Sequence, residues 1–318
     1  MQWHLQRQKT NQMDSIKNLQ YKLKKVLNQS LSVDGVAGPS TKKAVQLFQS
    51  LYGLEVDGVA GAKTKSKLDQ VYLMMFQENS NLLHFGGKRF VVFVDAGHGG
   101  IDENGLYVTP GKRAYHEGEE MHERGHYYEG FENRLIAEAF IDACNSYGIM
   151  CIRTYHPYKD TPLSERAEIV RSWLRRGYYG YLHSFHSNAI SSSNSSEKLD
   201  ATRGFMVFNT TGNNFSDQIA TRHFDNVKAV VGVGNWNYRS QDSDGDVDYE
   251  VNFQILRETD LKEFYSFGAI LEEWGFHTSK TDAKFIIDPI NRKKRVEAAL
   301  RTALWAQLEL DIENKNSN

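Results

Sequence analysis

Two histidines sit where a metal ligand would be expected: His98 in Val94-Asp95-Ala96-Gly97-His98-Gly99-Gly100, and His186 in Ser184-Phe185-His186-Ser187-Asn188-Ala189. Each lies at the end of an apolar run that reads as a buried strand. In an open α/β sheet the carboxyl ends of the strands line the ligand crevice, so imidazoles delivered there from two strands can converge on one ion. A catalytic zinc takes three nitrogen or oxygen ligands from the protein and keeps a water in the fourth position, whose pKa falls to about 7. The third ligand must come from elsewhere in the chain but reach the same end of the sheet. Glu129, in Tyr128-Glu129-Gly130-Phe131-Glu132-Asn133-Arg134 at the entry to a long helix, is the best placed, and Glu132 one turn later is its rival. Metal-dependent hydrolysis is the chemistry this set supports.

The elements that must position these residues alternate. Strands read over 90–94, 149–155, 179–185, 204–208 and 269–271, with helices over 132–145 and 162–176. That order predicts an α/β fold with a mostly parallel sheet flanked by helices. A last helix begins at Asp288-Pro289, a cap followed by proline in the first turn, and its period turns Val296, Ala299, Leu300, Leu304 and Leu308 inward.

The N-terminal part has a different organisation. Val33-Asp34-Gly35-Val36-Ala37-Gly38-Pro39-Ser40-Thr41 recurs as Val56-Asp57-Gly58-Val59-Ala60-Gly61-Ala62-Lys63-Thr64. Each copy supplies an Asp-Gly turn feeding a helix. Ile16, Leu19, Leu23 and Leu27 share one helical face, and Ala44, Val45, Phe48 and Leu51 share another, which predicts three short helices around a small core. A polar, glycine-containing stretch then separates the two parts. The expected organisation is a polar tail over 1–11, the helical domain over 12–76, a linker over 77–88, the α/β domain over 89–310 and a polar tail over 311–318.

Composition narrows the partners. With 318 residues, 40% of them hydrophobic, the chain can bury two cores. A net charge of -2 offers no field that would gather nucleic acid or anionic lipid. Cys144 and Cys151 are the only cysteines and read as core thiols. No apolar run is long enough for a secretory leader or a membrane span, so neither export nor membrane insertion is expected.

The N-terminal part resembles the peptidoglycan-binding domain appended to many cell-wall hydrolases. The resemblance rests on Leu19-Gln20, the two Val-Asp-Gly-Val loops, Ala44-Val45 with Phe48-Gln49, and Tyr52-Gly53-Leu54. It implies a glycan-facing groove near the loops, with Asp34 and Asp57 as wall ligands or simply turn formers. The rest, from Phe90 to Leu308, resembles the zinc-dependent N-acetylmuramoyl-L-alanine amidases. Asp95 to Gly100, Glu129 four residues before Asn133, Ser184 to Ala189 and Glu273-Trp274-Gly275-Phe276 match that family's motifs. It implies His98, Glu129 and His186 as ligands of Zn2+ and Glu273 as the catalytic carboxylate, with Glu272 on the opposite face of its strand. Asn188, Lys112, Arg113 and Arg166 are candidate substrate-binding residues, although a structural salt bridge explains Arg166 equally well.

The chain departs from the family pattern between Gly105 and Tyr128, where 112–126 is long, charged and rich in histidine. His116, His122 and His126 read as solvated loop residues, with a ligand role as the alternative. The acidic stretch 242–248 reads as a surface loop, its glycine misplaced for a calcium-binding loop. The resemblance thus implies a hydrolase that cuts the amide between N-acetylmuramic acid and L-alanine, with peptidoglycan as both substrate and binding target. The expected role is that of a phage lysin, held in the host cytoplasm until a holin-like membrane partner releases it. A zinc endopeptidase acting within the stem peptide and a silent wall-binding protein are the alternatives.

Overall fold

The structure, a computed structural model, describes residues 16–27, 30–52, 54–76, 89–211, 214–232, 234, 236–241, 247–260 and 267–316. The expected N-terminal tail, the linker and residues 242–246 of the acidic stretch lie outside them. Asp248, at the end of that stretch, is buried rather than at the surface. The chain divides into two compact units, each described by itself.

The first unit contains helix α1 over 16–26, α2 (Pro39–Leu51) and α3 (Ala62–Phe76) around Leu23, Leu27, Ala44, Val45, Phe48 and Leu68. Each repeated loop is closed by a buried glutamine from the preceding helix. The Gln20 amide donates to Asp34 Oδ1 at 2.9 Å, to Val36 O at 2.9 Å and to Thr41 Oγ1 at 3.0 Å, and its Oε1 accepts from Gly35 N at 2.8 Å. Gln49 does the same in the second loop, donating to Asp57 Oδ1 at 2.7 Å, Val59 O at 3.1 Å and Thr64 Oγ1 at 3.1 Å and accepting from Gly58 N at 2.8 Å. The repeat therefore includes a glutamine one helix upstream of each loop. Asp34 and Asp57 also accept the amides of Val36 and Val59 at 2.8 Å, so both are turn formers. The apolar groups these loops show to solvent include Val36 and Val59, 63% and 60% exposed, with Val33 and Val56 also exposed.

The second unit is built on a six-stranded sheet in the order β4-β1-β5-β8-β6-β7. Its strands are β1 (Arg89–Ala96), β4 (Met150–Arg153), β5 (Tyr178–Asn188), β6 (Phe205–Asn209), β7 (Tyr249–Glu250) and β8 (Phe267–Phe276). Every pair is parallel except β6 with β8. Val91, Val92, Phe93 and Val94 have no exposed surface, as expected of a strand covered on both faces. Strand β5 passes so close to β1 that a Cβ at Gly180, where φ is 145°, would lie 1.8 Å from Val91 O.

Helices α4 (Glu129–Ser146), α7 (Phe215–Val231) and α10 (Pro289–Asn316) cover one face, and α5 (Leu163–Leu174) and α8 (Gln254–Thr259) cover the other. Two short helices, α6 (Ser196–Ala201) and α9 (Lys280–Ile287), complete the unit. Cys144 and Cys151 are free and buried in the core.

Three local expectations needed correction. Helix α4 starts at Glu129, three residues earlier than its apolar period suggested, because a hairpin of β2 (Arg113–Tyr115) and β3 (His126–Tyr128) runs straight into it. Both Glu129 and Glu132 then fall in the first turn, where the helix dipole favours carboxylates. In α10 the expected cap is present, Asp288 Oδ1 accepting from Ile290 N at 2.8 Å and Asn291 N at 3.0 Å. Its fully buried stripe is Arg295, Ala298, Ala299, Thr302, Ala303, Ala306 and Leu310, with the expected Val296, Leu300 and Leu304 packed half-buried beside it, and Leu308 is exposed. Small residues let α10 approach α7, and the larger leucines flank that contact. The same helix continues through Asn316, into the stretch whose polarity suggested a tail.

Because Gln49 satisfies four groups of its loop, Gln49→Leu is expected to lower the stability of the first unit by about 2 to 3 kcal/mol, roughly 1 kcal/mol for each buried partner left unmet. Calorimetry of the full chain should show an earlier first transition, and an unshifted profile would contradict this role.

Candidate metal and catalytic site

The site lies where β1, β5 and β8 end and α4 begins. Ala96 of β1 pairs with Phe185 of β5, so His98, just beyond β1, comes beside His186, the next residue of β5. His186 in turn pairs with Glu273 of β8. His98 and His186 face each other edge to face, with ring centroids 5.2 Å apart. Only glycine fits at position 97, since a Cβ there would lie 2.0 Å from the His186 ring.

A buried polar layer beneath the two histidines and Glu129 sets their backbone. His98 has φ of 63°, a left-handed conformation rare outside glycine. Its carbonyl accepts from Arg134 Nη2 at 2.8 Å and from Arg166 Nη2 at 3.2 Å. Arg166 also donates to Asp95 Oδ1 at 2.8 Å and to Ala96 O at 2.6 Å. Asp95 accepts further bonds of 2.6 Å from both Thr154 Oγ1 and Ser184 Oγ. Burial alone would raise the Asp95 pKa, but the Arg166 charge and the two hydroxyls outweigh it and bring it down to about 2.

Three donor atoms converge above this layer. Glu129 Oε1 lies 3.2 Å from His98 Nε2 and 3.2 Å from His186 Nδ1, and the donor atoms of the three residues all lie within 4.8 Å of one another. A tetrahedral zinc with bonds of about 2.0 to 2.1 Å has ligand-to-ligand edges of about 3.3 Å, so the donor set and its spacing fit that ion. Glu129 is buried while the two histidine side chains keep 19% and 15% exposure, which leaves one side open to a substrate. Burial opposes ionisation of Glu129, yet the two imidazoles hold its carboxyl well below the usual range.

Glu132 is committed elsewhere. It takes a two-pronged ion pair from Arg292, at 2.9 and 2.8 Å, and a hydrogen bond from His122 at 3.0 Å.

The two adjacent glutamates of β8 have opposite surroundings. Glu272 faces α7 and α10, where it accepts from Arg295 Nε and His223 Nε2, both at 2.6 Å, with His183 Nε2 at 3.5 Å. Glu273 lies on the side of Glu129 and the two histidines, and its Oε2 is buried with no hydrogen-bond partner among the described residues. Burial, and then the negative charge of Glu129, pushes its carboxyl well above the usual range.

The histidine-rich loop is packed rather than solvated. His116 is buried and donates through Nε2 to His277 O at 2.9 Å, and Tyr128 N donates to His122 Nδ1 at 2.8 Å. Glu119 binds Lys280 and Lys284 at 2.7 Å each, anchoring the loop to α9. The His126 ring stacks on Tyr128. None of the three joins the donor cluster.

The substrate-binding candidates separate. Lys112 is exposed beside the site, its carbonyl accepting from Glu129 N at 3.1 Å. Arg113 is exposed on the hairpin, opposite Tyr128. Asn188 lies two residues beyond His186, with its Oδ1 folded back onto Ala189 N at 2.8 Å. Arg166 cannot touch substrate, because its side chain is only 2% exposed and its donors are spent on Asp95 and the backbone. Motif reading also missed residues that act here. Arg134 carries no signal beyond its place next to Asn133, and His277, whose ring lies flat against Tyr127 and 4.0 Å from Glu129, is marked only by following the Glu-x-Gly-Phe motif.

A sheet with histidine and glutamate donors at its carboxyl edge, beside a buried carboxyl, defines a metallohydrolase-like site. A family model described as N-acetylmuramoyl-L-alanine amidase matches residues 92–303, well over half the chain, and the chain belongs to that family of cell-wall hydrolases. A model for a peptidoglycan binding domain matches residues 12–68. Among solved structures, the chain is similar to an N-acetylmuramoyl-L-alanine amidase from Clostridium difficile 630, at 22% identity and a TM-score of 0.50, covering 68% of this chain and 95% of that one. It is also similar to the amidase AmiC2 of Nostoc punctiforme, at 18% identity and a TM-score of 0.49, covering 69% and 97%. At these identities the likeness concerns the fold. None of the curated proteins compared with the chain matches it. Peptidoglycan is the substrate and the binding target of this hydrolase.

The folded pKa of Asp95, about 2, lies below the unfolded value of about 3.9, so its ionisation adds about 2 kcal/mol of stability. That contribution is complete above about pH 4 and is lost as pH falls through 2. Asp95→Asn also leaves Arg166 without its buried counter-charge and is expected to cost about 3 to 5 kcal/mol at pH 7. Urea unfolding across pH 2 to 7 checks this, with the gap to wild type expected to narrow only at the acid end.

Proposed function

We propose that this amidase is zinc-dependent, with His98, Glu129 and His186 holding the ion and Glu273 moving the proton. The observation that carries the reading is the convergence of three donors at the ligand edge of the sheet, with Glu273 one strand away and its Oε2 unpartnered. A zinc ion held there supplies a Lewis acid for the scissile carbonyl and a positive charge that offsets Glu129 as felt by Glu273. Glu273 Oε2 takes a proton from the attacking water as its oxygen bonds to the amide carbon. The same oxygen then delivers that proton to the nitrogen of L-alanine as the C–N bond breaks, leaving the lactyl carboxylate and a free amine.

The biological part of the proposal is lysis of a host cell from within, the enzyme waiting in the cytoplasm until a holin-like partner opens the membrane. The pairing of a wall-binding unit with an amidase supports it, since tethering raises the effective concentration of enzyme on an insoluble wall. Expression in a bacterial cytoplasm should be tolerated until a holin is co-expressed. Lysis without the holin would remove the partner from the scheme.

Three experiments test the chemistry. Purified peptidoglycan digested with and without a chelator should release, only when zinc is present, intact stem peptides that begin with a free L-alanine amine; cuts within the stem would instead establish an endopeptidase. Glu273→Gln should bind one zinc and sediment with the wall as wild type does, while turnover falls by roughly 10²- to 10⁴-fold. In Gly97→Ala the added methyl meets the His186 ring, so zinc content measured by mass spectrometry should drop well below one per chain. Full occupancy in that variant would show that His186 is not held as described.

A further inference from the structure

The hairpin before α4 brings one unpaired cation to the site. Lys112 N donates to Thr109 O at 2.9 Å, and Lys112 O accepts from Glu129 N at 3.1 Å and from Tyr107 Oη at 2.8 Å. Its backbone is therefore fixed against the first residue of α4, which carries the central donor of the cluster. On β2, Arg113 and Tyr115 face solvent, while Ala114 packs toward the core of the unit. Lys112 is the exposed residue immediately before β2, and Arg113 is paired with Tyr128 across the hairpin.

The Lys112 side chain is exposed, and it has no ion-pair partner among the described residues. Its charge nevertheless acts on the site, drawing down the proton affinity of both Glu273 and His277. The guanidiniums beneath the site, Arg134, Arg166 and Arg295, are all buried. A flexible ammonium on a fixed backbone, at the open side of a site whose own carboxylates are buried, is placed to meet an anionic group of the substrate.

The substrate offers such a group close to the scissile bond. The residue after L-alanine in the stem peptide is joined through its side chain, and it carries either a free α-carboxylate, as D-isoglutamate, or the neutral amide, as D-isoglutamine. With the scissile carbonyl at the donor cluster, that group lies about one residue, roughly 3.5 Å of chain, beyond the leaving alanine. We propose that Lys112 is a specificity residue that binds this α-carboxylate, so that the enzyme prefers stems with D-isoglutamate over their amidated counterparts. The assignment rests on the amidase reading of the site.

The test compares two muramoyl tripeptides that differ only in that group, using the zinc-loaded full chain. An exposed ion pair is worth up to about 1 kcal/mol, so wild type is expected to favour the carboxylate form by roughly fivefold in kcat/KM, mostly through KM, with the preference shrinking as salt is raised. In Lys112→Met the ratio should fall to about one, and in Lys112→Arg it should persist. A wild type that cuts both tripeptides equally, or a Lys112→Met variant that keeps the ratio, overturns the assignment. If wild type cuts neither, the amidase reading fails and takes this inference with it.

Discussion

The site depends on the two guanidiniums that hold the carbonyl of His98. Without them the chain leaving β1 would have no reason to enter the left-handed region at a histidine, a conformation that costs on the order of 1 kcal/mol or more. Arg134 comes from α4 and Arg166 from α5, on opposite faces of the sheet, so both layers of helices must be docked before the loop can adopt its shape. Asp95 makes the arrangement affordable. Two buried arginines side by side repel, and the pKa of Arg134 drops to about 10 through burial and the charge of Arg166. The ionised Asp95 supplies the compensating negative charge.

From that clamp the geometry follows by contact. Once His98 is turned, Gly97 packs directly on the His186 ring, and the register of β5 with β8 brings Glu273 alongside. Helix α4 completes the set from the other direction. Asn133 Nδ2 reaches Gly97 O at 3.3 Å and Arg134 reaches His98 O, so the helix that delivers Glu129 also grips the loop that delivers His98. This explains the four-residue spacing of Glu129 and Asn133: one turn of helix separates the donor from the anchor.

The parts of this site visible in the sequence were those with a local cause. A parallel strand covered on both faces writes itself as an apolar run, and a residue just past that run falls at the ligand edge, which is why His98, His186 and Glu273 could be placed from pattern and family resemblance. The parts that were hidden depend on distant partners. For Arg166 a substrate contact and a structural salt bridge stayed equally open, because nothing near it in the chain announces Asp95, its partner across 71 positions. His116 and His122 looked solvated because their partners, His277 O and Glu132, are supplied by other elements. The start of α4 was misplaced because it is fixed by the hairpin rather than by an apolar period, and the inward face of α10 because small residues, invisible to a hydrophobic pattern, make its closest contacts.

Glu272 and Glu273 show how one strand can hold two carboxyl groups whose proton affinities are pushed in opposite directions. Neighbouring residues on a strand point to opposite faces, so the alternation that aims Glu273 at the donor cluster puts Glu272 among Arg295, His223 and His183. Glu272 is held well below the usual carboxylate range despite its burial, because Arg295 and the histidines more than offset the lost solvent. Glu273 Oε2 has no hydrogen-bond partner among the described residues, and burial together with the nearby charge of Glu129 outweighs the pull of Lys112 and Arg295. Arg295 links the two environments, since it also donates to His186 O at 3.2 Å. The cation that neutralises the structural glutamate is thereby fastened to the backbone of His186, and α10 acts on the site through that bond while contributing no residue to the donor set.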